Sequence, residues 1–161
     1  MNAAVLTVSD SVHASRRDDV SGPTVQGILE KAGWSVVSGV VPDDIEEIAS
    51  KLQSWARSGE IDAIFTTGGT GVASRDVTPE ATRRVIEREI PGLSEWMRSE
   101  GMKKTPVAIL SRGIAGTCGN CVILNLPGSP KGARESIESV LNVIPHIVDL
   151  LKGKTEHGNS Q

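Results

Sequence analysis

The chain has 161 residues, 38% of them apolar and 23% charged, with a formal charge of −3. This size and balance suit one soluble domain with one core. The acidic balance argues against a broad electrostatic surface for nucleic acid or anionic membrane. With three Trp, one Phe and no Tyr, the core must be aliphatic, and the stacking platform of a single-strand nucleic-acid binder is missing.

Ala3 to Val8 reads as a short buried strand ending at Ser9-Asp10. A polar loop follows, from Ser11 to Val20. Ser21-Gly22-Pro23 has the form of a helix start, with Ser as cap and Pro in the first turn, and the helix should stop at Gly33. Trp34 to Val41 is a second strand. Pro42-Asp43-Asp44 opens a helix on which Ile45, Ile48, Ala49, Leu52 and Trp55 recur at helical spacing. Ile61 to Thr67 is a third strand. Helices are expected around Pro79 to Arg88 and Leu93 to Met102, whereas Val107 to Leu110 fits strand or helix. Val122 to Leu126 is an apolar strand, and Pro127-Gly128-Ser129-Pro130 is a turn with a Ser cap. A last helix runs to Leu151 with a kink or break at Pro145. Residues 1–152 are expected to form a single domain and residues 153–161 a flexible polar tail.

The connections between the first strands are too long for hairpins and suit crossovers, so the sheet should be mostly parallel in an α/β fold. Open parallel sheets bind ligands beyond the carboxyl ends of their strands. Four such ends carry unusual residues: Ser9-Asp10, Pro42-Asp43-Asp44, Thr67 to Gly71, and Pro127 to Pro130. All four should share one edge.

Within that edge, Thr66-Thr67-Gly68-Gly69-Thr70-Gly71 follows a strand and precedes a helix. Glycines let backbone N–H groups approach a phosphate, and a helix start adds partial positive charge. The loop lacks the Lys-Ser/Thr pair of a P-loop and the spacing of a dinucleotide fingerprint. A carboxylate a few residues on, Asp76, would repel a phosphate unless a cation lies between them, which suggests Mg²⁺. Structural roles are also open: Asp43 or Asp44 as a helix cap, Asp76 as a cap near Thr78, Asp10 as the brace of its own turn, and Ser111-Arg112 as a surface turn. Arg16, Arg17, Arg75 and Arg112 fall near loops and leave room for a local basic pocket.

Cys118-Gly119-Asn120-Cys121 has C-x-x-C spacing, but there is no second pair to complete a zinc site, and His13, His146 and His157 are scattered. Two reduced thiols in a turn are expected. No apolar run approaches the roughly 20 residues that span a bilayer. The first residues lead straight into a strand with no basic or apolar signal segment, so a cytoplasmic location is expected.

With VSDSV (8–12), SGP (21–23), PDD (42–44), TTGGTG (66–71), RDVTPEAT (75–82), PGLSEWMR (91–98), LSRGIAG (110–116) and LNLPGSP (124–130) in this order, the chain resembles the MogA/MoaB family of molybdenum-cofactor biosynthesis proteins, which includes the G domain of gephyrin. The resemblance runs from about Ala4 to Leu151. It implies a three-layer α/β/α sandwich, a homotrimer, and a molybdopterin adenylyltransferase that uses ATP and Mg²⁺ and releases pyrophosphate. Alternatives are a non-catalytic pterin-binding or scaffold member of the same family, and a CinA-like nucleotide pyrophosphatase.

By the same resemblance, Asp43, Asp76 and Ser111 are the catalytic positions, with Asp43 and Asp76 on the metal. Gly68, Gly69, Thr70, Gly71, Leu126, Pro127 and Gly128 are implied for the nucleotide. Ser9, Asp10, Ser21 and Gly22 are implied for the pterin, and Arg112 is added to them as a source of charge. A molybdenum-insertion enzyme is the implied protein partner. Where many members read G-x-R-G-S/T, this chain reads Gly116-Thr117-Cys118-Gly119-Asn120, with no arginine.

Overall fold

The computed structural model describes residues 1–154. Its centre is one six-stranded sheet in the order β2-β1-β3-β6-β5-β4. The strands are β1 (Asn2–Val8), β2 (Ser35–Val41), β3 (Ala63–Thr67), β4 (Arg88–Glu89), β5 (Ala115–Cys118) and β6 (Cys121–Leu126). The first four in space are parallel, and β5 and β4 add an antiparallel edge. The helices are α1 (Asp10–His13), α2 (Ser21–Lys31), α3 (Ile45–Arg57), α4 (Thr78–Arg83), α5 (Pro91–Met102), α6 (Pro130–Val140) and α7 (Ile144–Leu151), with a 3-10 turn at Pro106–Leu110.

Strand alternation builds two apolar layers from one sheet. Ala3, Val5, Ala63, Phe65, Val122 and Leu124 face α2, α5, α6 and α7. Ala4, Leu6, Ile64 and Ile123 face α3 and α4. The result is the expected three-layer α/β/α sandwich. Its core is aliphatic apart from Phe65, which is fully buried and packs 6.2 Å from the Trp34 ring, centroid to centroid.

Several local expectations change. Ser21 does not cap α2; its hydroxyl lies 3.0 Å from that of Thr67, and Asp19 accepts from the Gly22 N–H instead. The loop after Ser9 contains the short α1, capped by the Ser9 hydroxyl through the Val12 N–H. The helix after the glycine loop ends at Arg83, and Arg88–Glu89 pairs with β5 as a strand. The last helix is two helices, α6 and α7, separated by residues 141–143. The Ser129 cap stands, accepting from Gly132 N–H at 3.1 Å. Ile137, Val140, Ile144 and Val148 are buried in the core. The wide apolar stripe of this segment therefore serves the fold itself. All but the first two residues of the expected tail, His157 included, lie outside the described residues. Among the described residues, no helix is long and apolar enough to cross a membrane.

Cys118 and Cys121 stand opposite each other across the Gly119-Asn120 turn of the β5–β6 hairpin, both buried and both free. Burial pushes the Cys121 thiol up to about 12 from its usual 9.0. Ionisation therefore favours the unfolded chain. The stability contributed by the neutral thiol is complete below about pH 9 and is lost as pH rises toward about 12. We expect urea unfolding to show wild type losing about 1.4 kcal/mol per pH unit in that window relative to Cys121→Ala. Parallel pH profiles for the two proteins would contradict this.

Candidate functional site

The chain leaves β1 for β2 on one side and then returns across β1 to β3. This reversal puts a crevice at the carboxyl ends of β1 and β3, the place where open sheets hold ligands. The four expected strand ends do meet there. The Ser9 N–H donates to the Val41 carbonyl at 3.0 Å, and the Gly68 N–H donates to the Leu126 carbonyl at 3.3 Å.

The glycine loop divides into a structural glycine and three amides with no hydrogen-bond partner among the described residues. Gly68 has φ +96°, and a Cβ there would overlap the Val8 carbonyl oxygen. Its own carbonyl accepts from the Thr78 hydroxyl at 2.8 Å. The N–H groups of Gly69, Thr70 and Gly71 have no partner among the described residues. Their carbonyls are held from behind: Gly69 by Thr78 N–H, Thr70 by Arg112 N–H, and Gly71 by Arg112 Nε at 2.7 Å. The loop is thus fixed through its oxygens, with its donors free for an anion. α4 starts only at Thr78 and has six residues, so the amides rather than a helix end supply the positive potential.

Two carboxylates bracket these amides. Asp43 Oδ1 lies 3.2 Å from where a Cβ on Gly69 would stand, and Asp76 Oδ2 lies 2.8 Å from the corresponding point on Gly71. The helix-capping alternatives are resolved by Asp44, which accepts from Glu47 N–H at 3.0 Å and so leaves Asp43 free of α3. Asp76 does not cap α4; it accepts from Ala73 N–H at 2.9 Å and shapes its own turn. Asp43 is held by a reciprocal pair with Asp10: the Asp10 N–H donates to Asp43 Oδ2 at 2.9 Å, and the Asp43 N–H donates to Asp10 Oδ1 at 3.0 Å. Burial raises the Asp43 carboxyl above the usual carboxylate range, and the neighbouring Asp10 and Asp76 charges add to the rise. A cation would relieve all three effects. Two carboxylates plus phosphate oxygens are a usual Mg²⁺ ligand set, so the residues present fit that ion.

A cavity of about 520 Å³ opens from the loop. Gly69, Thr70, Gly71, Asp76, Pro127 and Gly128 line one part, and Ser111 lies at its wall as well. The far wall comes from α5 and the 3-10 turn, through Ser94, Met97, Val107 and Leu110. Asp43, Gly68 and Leu126 do not line it, and Leu126 is buried in the core.

Ser9, Asp10, Ser21 and Gly22 also lie off the cavity, and most of them are occupied. Arg75 makes a two-pronged ion pair with Asp10 at 2.8–3.0 Å, which holds the Asp10 carboxyl below its usual range and ties the loop after Gly71 to the end of β1. Gly22 has no room for a Cβ beside Thr7 and Asp19. Arg112 binds Glu80, the Gly71 carbonyl and, at 2.7 Å, the Asp76 carbonyl, which makes it a brace for the loop. Arg98, which the sequence did not single out, donates to the Gly113 carbonyl at 3.0 Å and steadies the segment carrying Ser111. It stands within the PGLSEWMR segment, whose spacing alone gives no hint of this contact.

Residues 4–146 match the family model described as a probable molybdopterin binding domain. The chain is 43% identical over 149 residues to the molybdenum cofactor synthesis protein cinnamon of Drosophila melanogaster, covering 91% of this chain but 25% of that longer protein. It is 38% identical to the molybdopterin adenylyltransferase of Helicobacter pylori strain J99, covering 95% of this chain and 89% of that one. The crystal structure of the molybdopterin biosynthesis enzyme MoaB from Thermus thermophilus superimposes with a TM-score of 0.88 at 48% identity, covering 94% of this chain and 96% of that one. The chain belongs to the molybdenum-cofactor biosynthesis family of molybdopterin-binding domains.

Proposed function

We propose that this protein is a molybdopterin adenylyltransferase, moving AMP from ATP to the terminal phosphate of molybdopterin. The observation that carries the reading is the free amide row of Gly69, Thr70 and Gly71 bracketed by Asp43 and Asp76. The adenylyltransferase named among its relatives supports it. A phosphate oxygen of the pterin attacks the α-phosphorus of ATP. The bond from that phosphorus to the bridging oxygen breaks, and pyrophosphate leaves. Both reactants are anionic, so holding them in line and screening their charge carries most of the rate. The amides of Gly69 to Gly71 hold phosphate oxygens, and Ser111 offers a hydroxyl to the transferred group. Asp43 and Asp76 would hold Mg²⁺, which neutralises the reacting phosphates and the leaving pyrophosphate. Asp10, through Asp43, and Arg112, through the loop carbonyls, act as positioning residues. The test is pyrophosphate release with Mg·ATP, with and without molybdopterin. Release only in the presence of pterin is expected, and release without it would point to a nucleotide pyrophosphatase.

The homotrimer is also proposed. Trp96 on α5 is 51% exposed while its neighbour Met97 is buried, and Ile109 is exposed on the adjoining 3-10 turn, off the cavity. This apolar face supports a subunit contact better than α6 and α7 do. Sedimentation equilibrium should give about three times the 17.0 kDa chain mass; a monomer mass would overturn the assembly.

A further inference from the structure

Ser94 sits on α5 in the wall of the cavity, in a residue only 4% exposed. Its hydroxyl is the one buried side-chain polar atom without a hydrogen-bond partner among the described residues. An unpaired buried hydroxyl is destabilising, so its presence here needs a reason. The neighbours do not supply a partner. Arg98, one helical turn on, commits Nη1 to the Ser111 and Gly113 carbonyls. Met97, Val107, Ala108 and Leu110 make the surrounding wall apolar.

The phosphate donors of the cavity lie elsewhere in it, on Gly69 to Gly71. A largely apolar wall that carries the buried, unpartnered Ser94 hydroxyl and is bordered by Glu135 and Ser136 of α6 suits a flat heterocycle with a polar edge, and the Glu135 carboxylate disfavours a polyanion there. A nucleotide whose phosphates rest on the glycine loop carries such a ring with it. We infer that Ser94 is a specificity-determining residue that hydrogen-bonds the edge of the purine base of ATP in this cavity. The Ser94 hydroxyl gives up no hydrogen bond on changing rotamer, because it holds none in the free protein. This inference rests on the nucleotide reading of the site given above.

The test compares Mg·ATP with magnesium tripolyphosphate, which has the same phosphates and no base, by titration calorimetry on wild type and Ser94→Ala. Ser94→Ala should bind ATP roughly three- to tenfold more weakly and tripolyphosphate equally well. The free variant should melt no lower than wild type, since it loses an unpaired hydroxyl. A structural role for Ser94 would instead weaken both ligands together and lower the melting temperature, and that result overturns the inference. Unchanged ATP affinity in Ser94→Ala, or a loss confined to molybdopterin, overturns it while leaving the nucleotide site standing. Failure of wild type to bind either ligand overturns the nucleotide reading and this inference with it.

Discussion

Asp76→Asn is expected to remove AMP transfer, by about 10³-fold or more, from a protein that remains folded. The asparagine amide oxygen can still accept from the Ala73 N–H, the bond that shapes this turn at 2.9 Å. What disappears is the negative charge facing Gly71. An amide oxygen is a weaker ligand and brings no negative charge to hold a cation against the reacting phosphates. The measurement is the initial rate of pyrophosphate release, with the melting curve as a control on folding. A folded Asp76→Asn protein with near-normal turnover would remove Asp76 from the chemistry. Asp43→Asn should behave similarly, because an asparagine can keep the bond from the Asp10 N–H.

Gly68→Ala is expected to act on the fold. Its φ of +96° is strained for any residue with a Cβ, and that Cβ would run into the backbone carbonyl of Val8. A neighbouring side chain can step aside, whereas a carbonyl within the central β1 strand cannot. The cost should be about 3 kcal/mol or more, read from the urea midpoint. Gly128→Ala should cost less, since its Cβ would meet the Gly68 Cα at 3.1 Å and needs only a small shift. Equal midpoints for Gly68→Ala and wild type would mean that the β1–β3 crevice is looser than described. Gly69 is a poor probe of ligand binding alone. A side chain there would displace the Thr78 hydroxyl from its bond to the Gly68 carbonyl, so Gly69→Val would disturb the fold as well as the amides.

The parallel half of the sheet could be read directly because each strand is a short apolar run that ends in capping or glycine residues. Sheet periodicity and helix periodicity then alternate cleanly from β1 to β3, and the four ligand-side ends follow from parallel pairing. The antiparallel edge was hidden. β4 has two residues, too few for any pattern, and β5 reads Ala-Gly-Thr-Cys, whose burial comes from its neighbours.

The choice between Asp43 and Asp44 was undecidable from sequence, since either carboxylate can cap α3; the backbone entering the helix selects Asp44. Ser21 looked like a cap because serine before Gly-Pro usually is one. Here Asp19 reaches the Gly22 N–H first, and the serine turns to Thr67. The α5 wall of the cavity depends on packing between α5, α6 and the 3-10 turn, residues far apart in the chain, and no local signal announces it.

The central claim is a group transfer, so the identity of the product tests it most directly. The protein is incubated with molybdopterin and ATP labelled at the α-phosphate, and the pterin is recovered and its mass and label are read. The account predicts AMP joined to the pterin phosphate, with one pyrophosphate released per label transferred. Label left wholly in free AMP, or pterin bound but recovered unmodified, would contradict it.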